Sequence, residues 1–154
     1  MADAPQRNAK HEALAVFLGK WAAHGTSFGG TDQTGEDPKA KGQAWMSTHE
    51  AAWHTGRFFI IQDERADIAG NQFDTLSIIG VDDDGSYFSR SVENHGFYRK
   101  YKVTCEGDRW KFDGATERAT VAFEHDGKRQ VWIWEWKPDE AWLPLCDRVA
   151  ERVD

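Results

Sequence analysis

Beyond residue 20 the chain alternates apolar and polar residues in short runs, cut at regular intervals by turn residues. One earlier segment has a different period. From Ala9 to Leu18, the residues Leu14, Phe17 and Leu18 fall on one side of a helical repeat, behind Asn8, a side chain suited to capping a helix. Gly19 is placed to end that helix as a C′ residue. The pattern predicts a disordered tail over 1–7 and a short helix over 8–18. Trp21 to Phe28 then reads as a strand with small inner residues. Gly29–Lys41 is the one long loop, with Gly35, Asp37 and Pro38 in it, and loops of this length in compact domains are often lids or mouths.

After the loop, strand-like runs lie near 42–53, 57–66, 73–81, 86–93, 97–105, 109–113, 116–125, 129–136 and 141–151. Most of the breaks between them are two to four residues carrying Asp-Gly, Asn-x-Gly or Gly-Asp, the chemistry of hairpin turns. About ten strands joined mainly by hairpins form an antiparallel up-and-down meander. Its two free edges are removed if it closes on itself. The expected fold is therefore all-β, a barrel over residues 20–151 with a short N-terminal helix, in a single domain spanning 1–154. Barrels of this size enclose room for a small ligand. A two-sheet sandwich is the competing architecture, and the lack of long crossovers counts against it.

Composition agrees with a sheet. Among 154 residues there are eight Trp and nine Phe. A formal charge of −7 argues against nucleic acid and anionic membrane surfaces as partners. No apolar run approaches the roughly 18 residues of a membrane-spanning helix, and the first residues do not resemble a secretory signal. A cytoplasmic protein is expected, with Cys105 and Cys146 as free thiols.

Alternation also sorts candidate site residues. Trp45, Ser47, His49, Ala51 and Trp53 share one face of their strand. Trp132, Trp134 and Trp136 share a face of another. Turned inward they wall a cavity; turned outward they form a patch for a partner, including a second copy in a homodimer. Phe97, Arg99, Tyr101, Val103 and Cys105 form the buried face of a third strand, which carries Arg99 inside. A buried arginine needs an anionic or hydrogen-bonding partner. That partner is either a ligand carboxylate or a structural ion pair with Glu50, Asp63 or Glu135. The candidate ligand-binding set is thus Arg99, Tyr101, His49, Trp45, Trp53, Trp132 and Trp134. The six histidines and two cysteines show no metal-ligand spacing, so no metal site is expected. Asp82-Asp83-Asp84-Gly85 is better explained as a hairpin turn than as a calcium loop. No nucleophile elbow, phosphate loop or dinucleotide fingerprint occurs.

Gly19-Lys20-Trp21 behind a short helix resembles the Gly-x-Trp signature that opens lipocalin-type barrels. The likeness extends to uncharacterised bacterial lipocalin-like (calycin-type) proteins. They share an opening Phe-Leu-Gly-x-Trp, a central Gly-x-Asp turn (here within Ile79–Tyr87), and a closing Trp followed by Arg (here Trp142 and Arg148). This resemblance implies that Trp21 plugs the closed end, with Arg148 or Arg152 stacked on it. Fatty-acid-binding barrels, similar in outline, hold carboxylates with interior Arg and Tyr. Related barrels also include haem binders, which implies His24 or His49 as a ligand if haem is bound; otherwise no cofactor is expected. Taken together, the expectation is a binding module for a small apolar or amphipathic molecule, under the Gly29–Lys41 loop. The alternatives are a barrel lyase or isomerase moving a proton with Tyr101, Arg99 and a carboxylate such as Glu50, a haem protein, and a dimeric interaction protein.

Overall fold

In the computed structural model, which describes residues 3–154, ten antiparallel strands close into one barrel in simple meander order. They are β1 (Gly19–Ser27), β2 (Gln43–Trp53), β3 (Phe59–Ile68), β4 (Asn71–Val81), β5 (Tyr87–Glu93), β6 (Tyr98–Glu106), β7 (Arg109–Asp113), β8 (Glu117–Glu124), β9 (Arg129–Trp136) and β10 (Leu143–Arg152). β1 pairs with both β2 and β10, so among the described strands neither end of the meander is left as an edge. The expected strands are all present, with their ends moved by a few residues.

The expected helix is shorter and divided. An α-helix, α1 (Ala9–Ala13), gives way to a 3₁₀ turn at Leu14–Phe17. The Asn8 side chain accepts from the Lys10 amide at 2.9 Å, and the His11 ring accepts from the Asn8 amide at 3.1 Å. Residues 1 and 2 of the expected tail lie outside the described residues. Residues 3–7 have no regular secondary structure, and Arg7 reaches the Arg57 carbonyl at 2.8 Å.

The 3₁₀ turn closes the end of the barrel at which β1 begins. Leu14 and Phe17 have no exposed surface. Phe17 sits 5.0 Å from Trp110, 5.3 Å from Phe123 and 6.1 Å from Phe112, centroid to centroid, each edge-on. The Tyr87 hydroxyl donates to the Lys10 carbonyl at 2.9 Å and holds α1 against the wall. Burying a side chain such as Phe17 contributes about 1.5–3 kcal/mol.

Trp21 has a narrower role than its expected one. It packs in a small cluster with Ala23 and Ala150 on the β1–β10 seam. Its stacking partner is His49, 5.9 Å away and tilted by 13°. Arg148 is not the arginine of this plug. The register sets Trp21 opposite Arg152 and Gly25 opposite Arg148. Four residues of strand put Arg148 about 13 Å further along the barrel. Arg152 bonds Asp154 at 2.8 Å and lies close to Gly19.

Candidate functional site

The other end of the barrel is hollow. A cavity of about 300 Å³ opens there, walled by aromatic side chains that include Trp45, Phe73, Phe112, Trp132 and Trp134. The Gly29–Lys41 loop lies at its mouth. Gln33 accepts from Trp136 Nε1 at 2.7 Å and donates to the Pro144 carbonyl at 2.7 Å, which ties the loop to the β9–β10 corner. Trp132 and Trp134 of β9 point inward, with Ile133 exposed on the outer face between them. The exposed tryptophan ladder considered for a dimer is therefore not formed.

Two charged groups interrupt this lining. The deeper one joins β10 to β3. Arg148 Nη1 donates to Glu64 Oε2 at 2.9 Å, and both side chains are buried. The guanidinium lies between indoles, 4.8 Å from the Trp45 ring centre, 5.5 Å from Trp132 and 6.0 Å from Trp134. Trp45 Nε1 donates to Ser47 at 3.1 Å, and the Ser47 hydroxyl donates to Glu64 at 3.4 Å. Arg148 Nε and Trp134 Nε1 are both buried without an acceptor in the protein. Buried donors are rarely left in that state.

The second group lies nearer the mouth. Arg99 Nε is 2.9 Å from Glu117 Oε2, and the Tyr101 hydroxyl donates to the same oxygen at 3.1 Å. Burial, with the Glu117 charge beside it, pushes the Tyr101 phenol well above its ordinary range, so it stays a proton donor. Arg99 thus pairs with a carboxylate from the cavity wall. The partners weighed from sequence are all elsewhere: Glu50 and Asp63 are exposed on the outer wall, and Glu135 bonds Arg118 there at 2.9 Å.

Five of the seven sequence-predicted residues line the cavity: Arg99, Tyr101, Trp45, Trp132 and Trp134. His49 and Trp53 are not among the lining residues. His49 is buried behind the Glu64–Arg148 pair, with Nδ1 3.9 Å from Glu64 and neither ring nitrogen hydrogen-bonded. Burial lowers its pKa to about 4, against an opposing pull from Glu64 and with a further push from Arg148. Trp53 packs at the closed end, 5.5 Å from the Arg7 guanidinium. His24, the other histidine weighed for haem, is exposed on the outer face of β1.

Glu64, Glu117 and the interior position of Arg148 were missed from the sequence. Each was visible as a charge in step with apolar residues, Glu64 with Ile60 and Ala66, and Glu117 with Ala119, Val121 and Phe123. Gly25 permits the deep pair. A Cβ there would collide with the Asp147 carbonyl and fall 2.6 Å from the Arg148 Cα, so only glycine lets β10 approach β1 at this point.

Neither a protein-family model nor a curated protein matches this sequence. Among solved structures, the chain is similar to the S-type phycobiliprotein lyase from Guillardia theta. The TM-score is 0.52 at 10% identity, over 96% of this chain and 94% of that one. A likeness at that identity establishes the fold, a calycin-like closed barrel, over nearly the full length of both chains.

Proposed function

We propose that the barrel binds a small, flat, largely apolar molecule carrying an oxygen acceptor, a carboxylate or a carbonyl. The observation that carries this reading is the pair of buried donors, Arg148 Nε and Trp134 Nε1, left without acceptors in an aromatic cavity. A ligand oxygen brought within reach of either donor would satisfy it. The Trp45, Trp132 and Trp134 rings offer flat apolar surfaces beside these donors. Size supports a compact ligand, because about 300 Å³ is at the small end of ligand pockets. The test begins with native mass spectrometry of freshly purified protein, to find a co-purified molecule. Titration with anilinonaphthalene sulfonate and with a medium-chain fatty acid, followed by tryptophan quenching, gives the affinity. Saturable one-to-one binding that is lost in Trp134→Phe and Arg148→Met supports the reading. Absence of binding by all probes, with no co-purified molecule, defeats it.

The convergence of Arg99, Tyr101 and Glu117 favours a second reading, a lyase or isomerase that moves a proton in the cavity. The similar solved structure is a lyase by name. Glu117 takes the place first considered for Glu50, because it alone of the two lines the cavity. Arg99 and Tyr101 both occupy one oxygen of Glu117, so a ligand that uses that oxygen must displace one of them. Deuterium entering the bound molecule from heavy water, and failing to enter in Glu117→Gln, would support proton transfer. No exchange in the wild-type protein removes it.

A further inference from the structure

We propose that the outer wall of β3–β6 is a self-association surface that takes a second copy of this chain. Among the charged outward positions of these strands lies a group of large apolar residues. Phe59, Leu76, Ile78, Val92 and Tyr98 are between 38% and 57% exposed. By contrast, the outward positions of β7 are Arg109, Lys111 and Asp113. The cross-strand register makes the apolar residues neighbours: Ile61 lies opposite Ile78, Leu76 opposite Val92, and Val92 opposite Tyr98. Elsewhere on the barrel, exposed Met46 lies opposite His24 and Asp67, and exposed Ile133 opposite Asp147 and Thr120; these are single residues among polar neighbours.

Gly80 flattens the patch. It lies between Phe59 and Phe88 in the register, and a Cβ there would come within 2.5 Å of the Phe59 ring and 3.1 Å of Phe88. Without that Cβ both rings approach over β4, their centres 6.1 Å apart, and the Arg90 guanidinium lies 5.1 Å over the Phe88 ring.

Charge selects the occupant. One flank of the patch is net acidic, with Glu50 on β2, Asp63 on β3 and Asp74 on β4 around Arg65; the other is basic, with Arg90 on β5 and Lys100 and Lys102 on β6. A two-fold axis parallel to the strands, between two such walls, lays β3 of one copy on β6 of the other. Acidic flank then meets basic flank twice, around an apolar centre. An axis across the strands would instead set β6 on β6, with like charges opposed. The patch is thus complementary to itself in one arrangement, as an isologous dimer requires.

Sedimentation velocity of the full chain, from low-micromolar to near-millimolar concentration, reads the outcome. A monomer–dimer equilibrium is expected, weakened about tenfold or more by Ile78→Lys and, independently, by Val92→Glu. Lys100→Glu with Lys102→Glu, and Glu50→Lys with Asp63→Lys, should each abolish the dimer alone. Mixed together the two charge variants should form a heterodimer, because each then offers the other both complementary flanks. Circular dichroism confirms that each variant is folded, since all six positions face outward. A wild-type chain that stays monomeric throughout overturns the proposal. So does a dimer indifferent to Ile78→Lys, or a mixture of charge variants that stays monomeric.

Discussion

Arg148 on β10 donates to Glu64 on β3 across 2.9 Å, with 9% of each side chain exposed, over β1 and β2 of a barrel that is hollow beside them. Such a pair rarely adds stability, because removing both charges from water costs about what their attraction returns. Its position is better explained by what it presents to the cavity. Glu64 fixes one side of the guanidinium and the indoles of Trp45 and Trp132 fix its faces, leaving Nε without a partner.

That arrangement sets an order of stabilities. Arg148→Met should cost about 3–5 kcal/mol, because it strands a buried carboxylate. Glu64→Gln should cost less, since the guanidinium keeps its contacts with the rings. The double variant Glu64→Leu with Arg148→Met should recover most of the loss, yet fail to bind any molecule found with the wild-type protein. Urea denaturation of all four proteins measures that order. A double variant as unstable as Arg148→Met would show that the pair stabilises the fold outright.

Gly25→Ala should be among the more harmful single-methyl changes in this chain. The added carbon meets backbone on β10 and not a movable side chain. Overpacking of that kind costs about 1–3 kcal/mol, and more where backbone has to shift. Hydrogen exchange should show the opening concentrated at the β1–β10 seam, where Gly25 lies opposite Arg148. Protection lost evenly around the barrel would argue against a local collision.

The strands were legible because hairpin turns announce themselves locally, in Asp-Gly and Asn-x-Gly pairs, and alternation does the rest. Closure was legible from the edge problem alone. The site was legible only in part. Alternation carried Arg99 and Tyr101 inside correctly, but Arg99's partner, Glu117, comes from a strand that is not its neighbour. Trp53 and Trp45 share a face of β2 yet sit at opposite ends of the barrel, since alternation gives the side of a strand and not the depth along it. Arg148 was misplaced for the same reason. Its distance from Trp21 depends on the β1–β10 register, which joins the two ends of the chain and leaves no local signal.

The two cysteines should behave differently. Cys105 is exposed, whereas Cys146 is buried against the cavity, where burial pushes its thiol up to about 11. At neutral pH a bulky maleimide should label one thiol per folded chain and two in denaturant. Mass spectrometry of the digest should place the first label on Cys105. Equal labelling of both in the folded protein would mean that the cavity opens more widely than its geometry indicates.

His49 gives the fold a dependence on pH whose sign can be worked out. Its ordinary pKa is 6.5, and burial holds it near 4 in the folded protein. Between those values the unfolded chain binds a proton that the folded one does not, so unfolding takes up protons and stability falls as pH falls. The contribution is fully present above pH 6.5 and is lost progressively toward pH 4. Its size is about 3 kcal/mol across that window, at 1.36 kcal/mol per unit of pKa. His49→Phe keeps a flat ring against Trp21 and has nothing to titrate there. Carboxylates contribute to acid unfolding in both proteins, so the difference between their urea midpoints at pH 7 and at pH 4.5 isolates His49. The wild-type protein should lose more stability than the variant over that interval. If the two lost stability in parallel, His49 would have to take up its proton in the fold as readily as in the unfolded chain, with Glu64 offsetting the burial.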